Sequence, residues 1–198
     1  PLDNLKSLLR NEDIDIPDHL PPSCVGLFGY LGYDMVRQVE DIPQSVADTL
    51  KIPDAIMVRP QIIIVIDNIK HKMIFATPVW HKEAIDAKIA YKDAQNRLEI
   101  YIKKLENLID KKEKKETVKT TDPVSNMSKD YFKKMVNTAK DYILAGDIFQ
   151  VVLSQRFSID FNLPAFDLYR SLRRLNPSPF LFYLNMKDFQ LVGSSPEI

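Results

Sequence analysis

One cysteine in 198 residues, Cys24, leaves no partner for an internal disulfide and fits a reducing, cytoplasmic compartment. Net charge is also missing. Lys and Arg number 27 and Asp and Glu number 27, so no global field draws in nucleic acid or an anionic membrane. Apolar runs are short, Ile62 to Ile66 being typical, and fall far below the ~20 residues a membrane-spanning helix needs. The opening Pro1-Leu2-Asp3 lacks the basic start and apolar middle of a signal peptide. Histidines 19, 71 and 81 are scattered, and no Cys/His or His/His pair has ligand spacing, so structural or surface roles are expected for them and no metal site. Gly26, Gly29 and Gly32 are spaced by three, which does not match G-x-G-x-x-G, and close backbone packing accounts for them better than a phosphate cradle. No repeat of solenoid period is present.

What is there is a folding composition: 45% hydrophobic and 27% charged residues suit a globular chain with a sizeable core. The length corresponds to roughly 1.3 typical domains. Because the chain opens on Pro1 and stops at Ile198 in an apolar stretch with no terminating turn, a piece of something longer is expected.

Residues 1–79 read as strand-like. Gln61 to Ile66 and Met73 to Val79 flank a polar Asp67 to Lys72 turn, which predicts a hairpin, while the prolines in Asp18 to Ser23 and Asp41 to Pro60 predict ordered loops. From His81 to about Lys112, Ile85, Ile89, Leu98, Ile102, Leu105 and Ile109 recur at helical spacing, predicting a long amphipathic helix. The charged and Thr-rich stretch that follows reads as a linker, so the expected division is a first region over 1–116, a linker over 117–127 and a second domain from 128 to 198.

In the second domain Ser128 is an expected N-cap, and Phe132, Met135, Val136, Ala139 and Ile143 form the apolar stripe of a helix stopped by Gly146. Ile148 to Ile159 alternates, which predicts a strand with Phe149, Val151, Leu153, Phe157 and Ile159 toward a core and Gln150, Ser154 and Arg156 in a polar row. Two readings of that row stand: a grip for an anionic substrate, or a solvent-facing strand side. Pro164 opens a further helix through Leu175, and Phe180 to Leu184 with Phe189 to Val192 predict a hairpin. Between them, Asn176-Pro177-Ser178-Pro179-Phe180-Leu181 is stiffened by alternate prolines. Either it is an ordinary turn, or its carbonyls, in a segment poor in N–H groups, accept from a ligand ammonium beside the Phe180 ring.

Four motifs decide between such readings. Gly26-Leu27-Phe28-Gly29-Tyr30-Leu31-Gly32-Tyr33-Asp34, Gly146-Asp147-Ile148-Phe149-Gln150-Val151-Val152-Leu153-Ser154-Gln155, Asn176 to Phe180, and Gly193-Ser194-Ser195-Pro196-Glu197 occur in an order that strongly resembles the chorismate-utilising enzymes, and among them anthranilate synthase component I. The resemblance covers nearly all of the chain outside His81 to Asn126. It implies an α+β fold, antiparallel sheets with peripheral helices, here truncated. It also implies the making of anthranilate and pyruvate from chorismate and ammonia, the first committed step of tryptophan synthesis, with Mg²⁺ holding the substrate carboxylate and a glutamine amidotransferase subunit supplying the ammonia.

By position, the resemblance makes Gln150 the residue that stands where water-using relatives have a lysine base. A neutral amide cannot deprotonate water, which points to ammonia as the nucleophile. It makes Glu197 the general acid, which must be protonated to assist departure of the ring hydroxyl and so needs a dry pocket. Asn176, Pro177, Ser178, Pro179, Phe180 and Leu181 match the feedback site for L-tryptophan, with the last three lining the indole and contacting the ligand backbone. Phe180-Leu181 replaces the Tyr-Met often found there, which leaves the strength of inhibition open. The Leu-Leu-Glu-Ser segment that completes that pocket is expected before Pro1. The Mg²⁺ carboxylates, the catalytic His and the chorismate-binding Gly-Thr segment are expected beyond Ile198, so the piece alone is expected to be inactive. The alternatives are aminodeoxychorismate synthase component I of the folate branch, which commonly has a Pro-Ala-Pro type sequence at the Asn176 motif, and a non-catalytic module that binds tryptophan or the amidotransferase.

Overall fold

A computed structural model describes residues 2–10, 14–43, 47–80, 85–107 and 121–195. The chain divides into two units, Pro1–Lys111 and Lys112–Ile198. Helices and antiparallel two-stranded sheets make up both, which is the expected α+β class.

The first unit begins with a helix, α1 (Leu2–Arg10), where strand was expected. The local signal is nonetheless helical: Leu2, Leu5 and Leu9 recur at three- and four-residue spacing, and Asp3 favours the positive end of the helix dipole. A 3-10 turn at Pro22–Cys24 then buries Cys24 beside β3 (Ile63–Asp67), leaving it 1% exposed, and burial pushes its thiol pKa up. β1 (Phe28–Leu31) pairs with β2 (Ala55–Val58) in the register Phe28 to Val58 and Leu31 to Ala55. β2 corrects the expectation that Asp41 to Pro60 is all loop. Its short Ala-Ile-Met-Val run sits between Pro53 and Pro60, and only pairing with β1 makes it a strand.

Gly29 and Gly32 are small because backbone crosses them. A Cβ at Gly29 would lie 1.8 Å from the Ile56 carbonyl oxygen, and one at Gly32 would lie 2.9 Å from that of Asp54. The expected close packing is therefore found. β3 pairs with β4 (Lys72–Ala76), and the Asp67 carboxylate closes the predicted turn by accepting from the Ile69 and Lys70 N–H groups at 3.0 and 2.9 Å. α2 (Ala87–Glu106) packs on β4 and realises the predicted amphipathic helix. Asp86 caps it by accepting from the Lys88 N–H at 2.8 Å, and residues 81–84 and 108–120 lie outside the described residues.

The second unit opens with β5 (Val124–Ser125), paired with β6 (Phe157–Ser158), so part of the stretch expected to be linker is ordered. The physical reason is polar rather than apolar. The Arg156 N–H donates to the Asn126 side chain at 3.0 Å, and the Gln155 amide donates to Ser125 Oγ at 2.8 Å. α3 (Lys129–Ala145) has both predicted ends. Ser128 accepts from the Tyr131 N–H at 3.2 Å, and Gly146 takes φ 83 while Gly146 and Asp147 donate back to Ile143 and Tyr142. Gly146→Ala is expected to destabilise the fold by about 1 kcal/mol through the forced left-handed backbone alone, since nothing lies within 4 Å of its Cβ position. Equilibrium urea unfolding beside wild type checks this; an unchanged midpoint refutes it.

The predicted strand over Ile148 to Ile159 shrinks to Phe157–Ser158. Alternation alone does not make a strand, because an extended backbone needs a ladder partner, and among the described residues Ile148 to Gln155 has none. Phe149, expected in the core, is 94% exposed. α4 (Ala165–Leu175) follows Pro164 and packs against the hairpin of β7 (Phe180–Asn185) and β8 (Gln190–Ser195), with Phe166 and Tyr183 edge to face at 5.3 Å. The core of the described residues is thin: Ile63, Ala94, Ala139 and Cys24 are its buried hydrophobic members.

Candidate functional site

Side-chain hydroxyls of the second unit tie the end of α4 to the β7–β8 hairpin. Asn176 ends the helix, its N–H donating to the Leu172 carbonyl at 2.8 Å and its backbone leaving helical geometry at φ −136. Pro177 and Pro179 follow, both exposed, and Pro179 stands in the turn that leads into Phe180. Ser178 is half-buried. Its hydroxyl accepts from the Phe180 N–H at 3.1 Å and donates to the Ser195 carbonyl. In the hairpin Phe180 stands opposite Ser195 and Leu181 opposite Ser194.

Strand alternation puts Phe180 and Leu181 on opposite faces. Phe180 shares the open face with Phe182 and is 47% exposed, whereas Leu181 shares the half-buried face with Tyr183, which packs on α4. Gly193, opposite Phe182, leaves room for that ring: a Cβ there would come within 2.2 Å of it. Ser194 completes the corner by donating its hydroxyl to the Asn176 carbonyl at 2.7 Å. One lone-pair direction of that carbonyl is thus already used. The sequence gives Gly193 and Ser194 no role beyond motif membership, because a hydroxyl bonding to a carbonyl 18 residues away has no periodic signature.

Gln150 is exposed on the irregular extended stretch after Gly146, as are Ser154 and Arg156. Its neighbours Ile148, Val151 and Leu153 turn instead against Tyr131, Met135 and Thr138 of α3, forming an open apolar groove of about 390 Å³. The polar row is therefore not presented by a paired strand. No hydrogen bond links Gln150 to the Asn176 corner among the described residues, and Glu197 lies outside them. His19 and His71 are exposed, and His81 lies outside the described residues. No group of three or more His, Cys, Asp or Glu side chains among the described residues could hold a metal ion, so nothing described fits Mg²⁺. No helix among them is long and apolar enough to cross a membrane.

The family model for chorismate binding enzyme matches residues 1–198. Anthranilate synthase component 1 of Cereibacter sphaeroides is 44% identical over 199 residues, covering 100% of this chain and 40% of the relative. The protein of that name from Synechocystis is 36% identical over 211 residues, covering 100% of this chain and 41% of its own length. Among solved structures, anthranilate synthase component I from Streptococcus pneumoniae superposes with a TM-score of 0.81 at 31% identity, over 100% of this chain and 43% of that one. The chain thus spans about two fifths of the length of the curated relatives it matches.

Proposed function

The chain belongs to the chorismate-binding enzyme family, and on that premise we propose that it is part of the large subunit of an anthranilate synthase, a lyase that turns chorismate and ammonia into anthranilate and pyruvate. The observation that supports this reading is the likeness of all 198 residues to about two fifths of proteins named anthranilate synthase component 1, together with a neutral amide at Gln150. Ammonia needs no base to become a nucleophile at the ring, whereas water does, and Gln150 cannot act as that base. Glu197 then gives a proton to the departing ring hydroxyl, which leaves as water; loss of the proton on the aminated ring carbon with cleavage of the enolpyruvyl ether, whose methylene gains a proton to become pyruvate, then makes the ring aromatic. A partner amidotransferase subunit delivers the ammonia from glutamine. Asn176 to Leu181 is the contact segment for L-tryptophan as feedback effector, with the Phe180 ring on its open face.

The full-length protein, given chorismate, ammonium and Mg²⁺, is expected to release fluorescent anthranilate and pyruvate in equal amounts. Accumulation of an amino adduct with no pyruvate would move the assignment to the folate-branch relative. Residues 1–198 alone are expected to form no anthranilate under the same conditions. Each sheet among the described residues has two strands, an arrangement that is marginal by itself, and the oriented donors that stabilise a transition state are sparse. A rate above the uncatalysed background from the purified chain would overturn that expectation.

A further inference from the structure

The segment that carries Gln150 is strapped along α3 and tied at both ends of it. At the C-terminal end of the helix the Asp147 N–H donates to the Tyr142 carbonyl at 3.0 Å, which fixes where the segment leaves. Ile148, Val151 and Leu153 then line the groove against Tyr131, Met135 and Thr138 of α3. The far tie falls just before the Ser128 cap: the Gln155 amide donates to Ser125 Oγ at 2.8 Å, and the Arg156 N–H donates to the Asn126 side chain at 3.0 Å. The strap has little slack. Ser128 to Tyr142 covers about 21 Å of helix axis, while Asp147 to Gln155 reaches about 26 Å when fully extended. A bend at Phe149 takes up part of the difference.

The tie to Ser125 calls for a donor. That hydroxyl gives its one proton to the Met127 carbonyl at 2.7 Å and accepts from the Met127 N–H at 3.2 Å, so the place left on it is a lone pair, which the Gln155 amide fills. We infer that Gln155 is a positioning residue for Gln150: its bond to Ser125 holds the strap taut over α3 and so fixes the face on which the Gln150 amide meets the incoming nucleophile. This rests on the reading of Gln150 proposed above and deepens it. The backbone ladder with residues 124–126 begins only beyond Gln155, so among the described residues no backbone bond replaces this tie on the Gln150 side. A misplacement of about 1 Å is enough to lower the rate at a reacting centre.

The test uses the full-length protein with ammonium as the nitrogen source and glutamine withheld. Gln155→Ala and Ser125→Ala are each expected to lower kcat/KM for ammonium roughly fivefold, the size of one ordinary hydrogen bond, while the KM for chorismate stays within about twofold. Ser125→Thr keeps the hydroxyl on a strand-compatible side chain and is expected to retain the wild-type value. In a Gln150→Ala background, Gln155→Ala is expected to lower the value no further, because it acts through the amide already removed. An unchanged kcat/KM in Gln155→Ala, an equal fall in both backgrounds, a fall in Ser125→Thr, or failure of both alanine variants to fold each overturns the inference. Gln150→Ala with wild-type ammonium kinetics brings down the reading of Gln150 and this inference with it, and that result is recognisable before Gln155 is touched.

Discussion

Glu197→Gln in the full-length protein is expected to lower kcat for anthranilate formation by about 10²- to 10⁴-fold, the range that removal of a general acid produces. The amide keeps the shape and a hydrogen-bond donor but cannot release a proton to the departing hydroxyl. The ring oxygen must then leave unassisted, and the barrier rises at that step. Because the lost interaction exists only in the transition state, kcat and kcat/KM fall together and the KM for chorismate stays close to wild type. Initial rates by anthranilate fluorescence over a chorismate series separate the two quantities. A residual kcat within about tenfold of wild type would remove Glu197 from the role of acid, since positioning alone would then account for the loss.

Gly29→Ala is expected to be the most damaging small substitution in the first unit. The new methyl would sit 1.8 Å from the Ile56 carbonyl oxygen, 2.8 Å from its carbonyl carbon and 3.0 Å from the Met57 Cα. All three are backbone atoms of β2, and none can swing aside as the tip of a side chain can. Relief requires β1 and β2 to separate, which also strains the Gly32 N–H bond to the Asp54 carbonyl and the Tyr30 hydroxyl bond to the Pro53 carbonyl. A loss of about 3 kcal/mol or more follows, among the larger effects that overpacking produces. In circular-dichroism melts this reads as a fall of the apparent melting temperature by about 10–20 °C. Gly32→Ala meets one carbonyl oxygen at 2.9 Å and should fall less. Equal melts for Gly29→Ala and wild type would mean that the two strands do not approach each other this closely.

How much of this could be read in advance depends on how far apart in sequence the interacting groups stand. Helices α2, α3 and α4 were legible because their stripes repeat every three or four residues, and Ser128 and Gly146 punctuate the ends of α3, whereas the Asp86 cap, which starts α2 at Ala87 rather than at His81, was not read in advance. The hairpins β3–β4 and β7–β8 were legible because both strands flank one polar turn. In contrast β2 and β5 are strands only because of a partner more than twenty residues away, while β6 is the short part of the predicted Ile148 to Ile159 strand that finds a partner. Ile148 to Gln155 fails in the opposite sense: its alternation is strand-like, but without a ladder its apolar side chains face a groove or solvent. The candidate site divides the same way. Gln150, Asn176 to Leu181 and Glu197 were recognisable as motif members, while the splitting of Phe180 from Leu181 across two faces and the bond from Ser194 to Asn176 were not.

By itself, then, the amino-acid order determined the family, the class of fold, the caps and turns, and the chemical types at the positions expected to react. Each of these depends on side-chain identity and short-range spacing, which backbone geometry translates directly into helix faces and turn positions. Tertiary structure alone decided which strands pair, which glycines are crossed by backbone, and which hydroxyl meets which carbonyl at the end of α4. Those outcomes require distant parts of the chain to meet, and the free energy of such a meeting is shared among many weak contacts that no short stretch encodes.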